Sequence, residues 1–344
     1  MKRIGAIRTL RFAVGTAGAV AFAFSLDYGQ AIMTPLLASV FLGAPSPRPT
    51  LRVMTGILVA AALGMGVGLL SSLLLIHVPS VLFLSVGLML FRIFLSAVRG
   101  TGAFLVLMLL LGVLMVPVVG TIDSQLALDF VNDFLINLVL ALAFVQAAFQ
   151  LFPDPKTEAL TKPAPPTPPP TAQLAYAVQR TAIFLPLFAV VVSLQMTSQL
   201  QALLFAVILS LGAQPGSGAK ASLPMLGGAA IGGGMAIVIY LLTSMYHEFM
   251  LLMLLTFLAL LIIGRGQFSD RPSAVYFSSA KGAMLILISS TSSILGDETG
   301  DKFMARLSSI LLAAGILALG LPLAAHLFPA RRPRPAEPST AEAS

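Results

Sequence analysis

The chain has 344 residues and a formal net charge of +7; 58% of its residues are hydrophobic, only 10% are charged, and its mean hydropathy is +0.97. A soluble domain carries about a quarter charged residues, so lipid is the expected solvent here. Without cysteine there is no disulfide framework, no Cys-ligated zinc and no thiol nucleophile, and three histidines far apart in sequence form no metal motif, so neither metal nor cofactor is expected.

In chain order, the first residues mimic a secretory signal: Lys2, Arg3, Arg8 and Arg11 precede an apolar stretch that ends in small residues. The same kind of segment recurs in mid-chain, so the first one reads as an uncleaved span. Apolar runs and their Pro/Gly breaks predict helices over 10–26, 29–43, 52–76, 79–98, 101–119 and 129–151, a first membrane half covering 1–152. A linker over 153–173 holds Pro163, Pro165, Pro166, Pro168, Pro169 and Pro170, too dense in proline for helix, and reads as an extended cytoplasmic spacer. The series resumes over 178–194, 199–213, 220–243, 247–264, 274–294 and 303–328, a second half covering 174–328. The tail, 329–344, has too little apolar surface to fold. The predicted class is an all-α integral membrane protein of roughly twelve spans, since a span takes about 20 apolar residues.

Basic residues set the orientation. With the N-terminus in the cytoplasm, Arg11, Arg48, Arg52, Arg99, Arg180, Lys220, Arg265 and Arg271 all fall on that side and only Lys302 and Arg306 on the other, as the positive-inside rule demands. The cations are scattered singly between spans rather than gathered into a patch, which argues for topology and against nucleic acid. A bacterial inner membrane, crossed many times with both termini cytoplasmic, is the expected location.

The two halves overlay. One constant offset places Arg11 on Arg180, Gln30 on Gln199 and Leu42-Gly43-Ala44 on Leu211-Gly212-Ala213. In the third helix of each half Gly64-x-x-x-Gly68 answers Gly228-x-x-x-Gly232, spacings that let helix backbones approach closely in lipid. Both halves begin inside, so the arrangement is two parallel six-helix repeats, and substrate sites in such proteins tend to lie between repeats.

Ionisable groups inside spans cost ~2.5–3.5 kcal/mol at a helix centre on insertion scales, which makes each a functional candidate. Arg92 and Lys281 lie about two turns from the cytoplasmic ends of their helices, and Lys281 shares a helical face with Ser278, Ser289 and Ser292. These five are the candidate substrate-binding residues for an organic anion, with snorkelling to headgroups as the alternative. Arg11, Arg52, Arg180 and Lys220 form a basic cytoplasmic entrance or serve topology and lipid contact alone. Asp129, Asp133 and Asn137 recur every four residues on the sixth helix, and Asp133, the deeper acid, is the candidate proton carrier with Asp129 beside it; both acids could instead simply favour a helix N-terminus. His77 and His247 sit in outer turns as candidate gates or ordinary loop residues.

An arginine opening helix one (Arg11), a helix pair closing on a short Gly/Pro loop (Gly43 to Pro49), then an arginine and glycines entering helix three (Arg52, Gly56, Gly64) resembles the fusaric acid resistance and aromatic acid exporter superfamily, and the pattern repeats from Arg180. The resemblance implies an inner-membrane efflux protein for aromatic carboxylates, working alongside a periplasmic adaptor protein. Many larger relatives carry a soluble domain between the halves, where this chain has only the proline linker.

The expectation is therefore a secondary exporter of small organic anions driven by protons, without a catalytic step; direction and aromatic substrate come from the resemblance alone. A major-facilitator carrier remains open, though Ala44 to Leu51 lacks the acidic residue of that group's loop. An intramembrane lipid-modifying enzyme would need clustered carboxylates or zinc-ligand spacings, which do not occur. A non-transporting scaffold and a homo-oligomer also stay open.

Overall fold

Hydrocarbon offers no water to an exposed peptide group, so a chain this apolar is driven to close its backbone hydrogen bonds within helices. A computed structural model describes residues 2–26, 31–44, 47–153, 169–193, 203, 206–207, 218–246, 248–289 and 299–327. Among them lie eleven helices: α1 (Lys2–Leu26), α2 (Met33–Gly43), α3 (Leu51–Leu75), α4 (Pro79–Val98), α5 (Ala103–Gly120), α6 (Ser124–Leu151), α7 (Pro170–Ser193), α8 (Gly218–Tyr246), α9 (Phe249–Gln267), α10 (Ala274–Ile288) and α11 (Thr299–Leu327). Eight of these, α1 and α3 to α9, are long and apolar enough to cross a bilayer; α2, α10 and the 315–324 part of α11 are shorter apolar segments. The protein is an all-helical, multi-pass integral membrane protein.

Several helix starts depart from expectation, α1 among them, which begins at Lys2 rather than 10. Helix α6 starts at Ser124 rather than 129, because Asp123 is extended and its side chain accepts from the Gln125 amide at 3.0 Å, capping the helix a turn and more before Asp129. Helix α7 starts at Pro170, inside the 153–173 spacer, since a proline in the first turn forfeits only an N–H that has no intrahelical acceptor. Helix α2 starts at Met33 after a turn at 31–32. The span expected over 199–213 lies outside the described residues, except for Leu203, Ala206 and Val207, which are helical and buried. The tail over 329–344 and most of the spacer also lie outside them.

Small residues set how the helices meet. Helix α3 lies on α5, and α8 on α10. A Cβ on Gly68 would collide with the Gly112 carbonyl, and one on Gly232 with the Ala280 carbonyl. One turn earlier, a Cβ on Gly64 would come within 2.9 Å of the Met108 carbonyl, and one on Gly228 within 2.7 Å of the Tyr276 carbonyl. Both glycine pairs read from the sequence therefore face a neighbouring backbone, with a carbonyl taken every four residues along the partner.

Two further contacts join the first six helices to the later ones. Where α4 meets α7 the seam is apolar and aromatic: Phe94 lies 5.5 Å from Phe184 and 6.5 Å from Tyr176, and Phe83 lies 5.8 Å from Phe188. Where α1 meets α9, Phe12 stands edge-on to Phe268 at 6.2 Å, with Gly264 tucked beneath Thr9 and Phe12. Helix α11 packs on α8 and α7.

Helix α2 has 11 residues, about 16 Å at ~1.5 Å per residue and too short to span, and ten of the 11 are buried against α1, α6 and α10. A polar link ties it to α6: Thr34 Oγ1 donates to Asn137 Oδ1 at 2.6 Å, and Asn137 Nδ2 donates to the Asp133 carbonyl at 2.7 Å. Below α2, the amide of Gln146 accepts from Arg48 at 2.8 Å and donates to the Pro49 carbonyl at 2.7 Å, pinning the α2–α3 loop to α6.

Gly112→Ala tests the close approach. Its Cβ meets the backbone of Gly64 and Met65, which cannot yield like a side chain, so the helices must separate, and a loss of about 1–3 kcal/mol or more in stability is expected. Gly56→Ala, with nothing within 4 Å, should leave the melting temperature of the detergent-purified protein unchanged or slightly raised. Thr34→Val should destabilise by about 1–3 kcal/mol by leaving Asn137 Oδ1 without its Thr34 donor, and Thr34→Val/Asn137→Leu should recover most of that loss in a double-mutant cycle.

Candidate functional site

The crossing that seats α10 also aims its one cation. Ala280 turns its carbonyl to Gly232 of α8, and the next residue, Lys281, is rotated about 100° around the helix, since an α-helix has 3.6 residues per turn. That rotation carries Lys281 away from α8 and towards α1, α2 and the end of α9. Only 7% of it is exposed. Its ammonium lies 5.9 Å from the centroid of the Phe12 ring and against Gly43, the last residue of α2, so closely that a Cβ on residue 43 would overlap Nζ. Gln267, the last residue of α9, reaches the same point: its Nε2 donates to the Gly43 carbonyl at 2.6 Å.

Three elements thus converge on Lys281, and none brings a carboxylate to it among the described residues. What offsets the charge is the Phe12 ring and the carboxyl ends of α2 and α9, each carrying roughly half a negative elementary charge of helix dipole. Gln267 Oε1 is buried without a hydrogen-bond partner, a condition that costs about 1–3 kcal/mol. The site is a desolvated cation framed by a glycine notch, an amide and the Phe12 ring, a setting suited to a small anion.

The serine row expected beside the lysine is only partly there. Ser278 is exposed, Ser289 is buried but donates to the carbonyl of Ile286 in its own helix at 2.6 Å, and Ser292 lies outside the described residues. Arg92 is exposed on α4, while its neighbours Leu90, Ile93 and Phe94 turn inward. Lys281 and Arg92 therefore do not face one another.

The basic entrance group also divides. Arg11 and Arg180 are 2% and 3% exposed, held inside the helix packing. The Arg11 guanidinium lies 3.8 Å from the centroid of the Phe149 ring, and its Nη1 donates to the Phe152 carbonyl at 3.4 Å, where α6 ends. Arg180 lies 5.1 Å from the Tyr176 ring centroid. A flat, weakly hydrated guanidinium tolerates such stacking far better than an ammonium does. Arg52 is exposed in the first turn of α3, and Lys220 lies in the first turn of α8 with its side chain outside the described residues.

On α6, Asp129 is exposed and accepts from Gln125 at 3.3 Å, whereas Asp133 is half-buried one turn deeper. Asn137, the third member of that row, is fully buried and linked to Thr34. His77 is exposed in the α3–α4 turn, and His247 lies outside the described residues. Among the described residues no group of three or more His, Asp or Glu could hold a metal. Sequence reasoning passed over Phe12, Thr34, Gly43 and Gln267 as site residues. Gln267 had a usable signal, as an amide in the last turn of an apolar helix. Gly43 was visible only as a loop marker.

Residues 8–148 match a family described as Protein of unknown function (DUF2955), and the match runs from α1 into the last turn of α6. No curated protein and no solved structure matches the chain.

Proposed function

We propose that the protein is a secondary transporter of small organic anions, with Lys281 as the group that recognises the anion. The observation that carries this reading is a cation buried among helix ends with no carboxylate beside it among the described residues. Such a charge is costly to place in a membrane protein, and its natural complement is an anion that comes and goes.

A comparison within the chain separates function from packing. The α3–α5 and α8–α10 crossings take up the same backbone contacts, at Gly68 with Gly112 and at Gly232 with Ala280. The residue after each contact is Val113 in α5, 2% exposed, and Lys281 in α10. A valine is enough to build the crossing, so the lysine answers some other need.

The same correspondence supports two parallel six-helix repeats. Helix α4 packs on α7 as α9 packs on α1, and α6 lies against α1 and α3 as α11 lies against α7 and α8. With the span over 199–213 counted, the reading is twelve helices in two halves, 1–152 and 174–328. The positive-inside pattern then puts both termini and the Lys281 end of α10 in the cytoplasm of a bacterial inner membrane. Lys281 lies seven residues beyond Ala274, about 10 Å along the helix, deep enough for a solute to leave bulk water before meeting it.

Asp133, near the opposite end of the bundle, is the proposed proton carrier. Outward transport and a preference for aromatic carboxylates follow from the resemblance to the fusaric acid resistance and aromatic acid exporter group. Arg92, facing outward, is assigned to lipid headgroups rather than to the solute path.

Inverted membrane vesicles loaded by a proton gradient and offered a panel of aromatic carboxylates test this reading. Removing a buried charge partner costs about 2–5 kcal/mol, so Lys281→Met should lower uptake by roughly 30-fold or more. Arg92→Ala should stay within about two-fold of wild type, as exposed ion contacts are worth ~0–1 kcal/mol. Asp133→Asn should keep counterflow exchange and lose gradient-driven accumulation. Lys281→Met should also melt a few degrees higher than wild type, because a buried unpaired charge gives way to a packed apolar side chain. If wild-type vesicles move none of the panel, the anion assignment is wrong.

A further inference from the structure

We propose that Gln267 is a positioning residue whose task is to keep the Lys281 ammonium unpaired, by competing with it for the Gly43 carbonyl at the end of α2. The inference rests on the reading of Lys281 as the anion-recognising group and goes beyond it by naming what holds that group ready.

Lys281 Nζ and Gln267 Nε2 crowd the same point, the place where a Cβ on residue 43 would stand. A buried ammonium beside a helix C-terminus ordinarily donates to a free carbonyl of the last turn, because those carbonyls have no intrahelical partner. At α2 the Gly43 carbonyl already accepts from Gln267 at 2.6 Å, so the lysine must compete with an amide donor for it. Gln267 forms this bond while its own Oε1 stays buried and unpartnered, an arrangement that helix packing alone would not favour over an apolar side chain. Glycine at 43 completes the device, since any side chain there would push the ammonium out of the notch.

Two substitutions separate this role from simple packing. In Gln267→Leu the Gly43 carbonyl is released, and Lys281 takes it. In Gln267→Glu a carboxylate stands where the amide stood, and the lysine forms an ion pair. Either partner ties up the ammonium, and only a free, neutral amine attacks an aldehyde.

The full-length protein in detergent is therefore methylated with formaldehyde and dimethylamine–borane, both small and neutral, and the rate at Lys281 is followed by peptide mass spectrometry. Lys2, Lys156, Lys162, Lys220 and Lys302 serve as internal standards for reagent dose, and a loss of global structure would expose Lys281 and speed it, the opposite of the change expected. Relative to those standards, Lys281 should react about three- to ten-fold more slowly in Gln267→Leu, the worth of one hydrogen bond, and more slowly still, by roughly ten-fold or more, in Gln267→Glu. Unchanged relative rates in both variants would overturn the role of Gln267, and wild-type vesicles that still carried organic anions would then leave the transport reading standing. Slowed methylation together with a wild type that carries none of the panel would sink the transport reading and leave the positioning role intact.

Discussion

Backbone-to-backbone contact between helices is the constraint on which the rest of the structure depends. In lipid no hydrophobic force draws one apolar helix to another, so association rests on close van der Waals fit. Gly64 and Gly68 against Met108 and Gly112, and Gly228 and Gly232 against Tyr276 and Ala280, supply that fit at two places. Because each helix is held by its backbone, its rotation about its own axis is held too. The direction of Lys281 follows: with Ala280 locked onto α8, the next side chain has nowhere to go but the space between α1, α2 and α9.

That placement sets a balance between stability and availability. A lysine that snorkelled to a membrane surface would cost little, and one paired with a carboxylate would cost less than a bare charge, yet neither could recognise an anion from solution. Lys281 is kept from both. Burial prevents snorkelling, no carboxylate meets it among the described residues, and the Gly43 carbonyl beside it already accepts from Gln267. The ring of Phe12 and the dipoles of two helix ends lower the cost without supplying a counterion.

Much of this fold was legible in the residues and much of the site was not, for one reason. Hydropathy reports position along a helix, and the span limits over α3, α4 and α5 agree with the sequence to within two residues. Position around a helix depends on which neighbours pack where, and for α10 the sequence carries no strong stripe. Arg92 and Lys281 therefore looked equivalent at similar depth, and they proved to face opposite environments. Arg11 and Arg180 gave the same difficulty in reverse: counted as surface charges for topology, both are buried, Arg11 at the end of α6 and Arg180 beside a tyrosine ring. The glycine pairs succeeded because their spacing carries both kinds of information at once. Asp123 was overlooked as a cap because it opens a polar stretch, so α6 seemed to begin only where its apolar face did.

Helix α2 is where the separate pieces meet. Too short to span and almost wholly enclosed, it exchanges polar contacts at both ends, Thr34 with Asn137 next to Asp133 and Gly43 with Gln267 next to Lys281. Nine residues separate those two contacts, about 13 Å of rigid helix. An α-helix of that length transmits a shift or a tilt far more readily than it absorbs one, since stretching it breaks its own hydrogen bonds. The acidic row on α6 and the cation on α10 are thus connected by a single stiff element. Any dependence of one on the other has a direct mechanical route through α2, and the glycine that ends that route is the same residue whose missing side chain makes room for the ammonium.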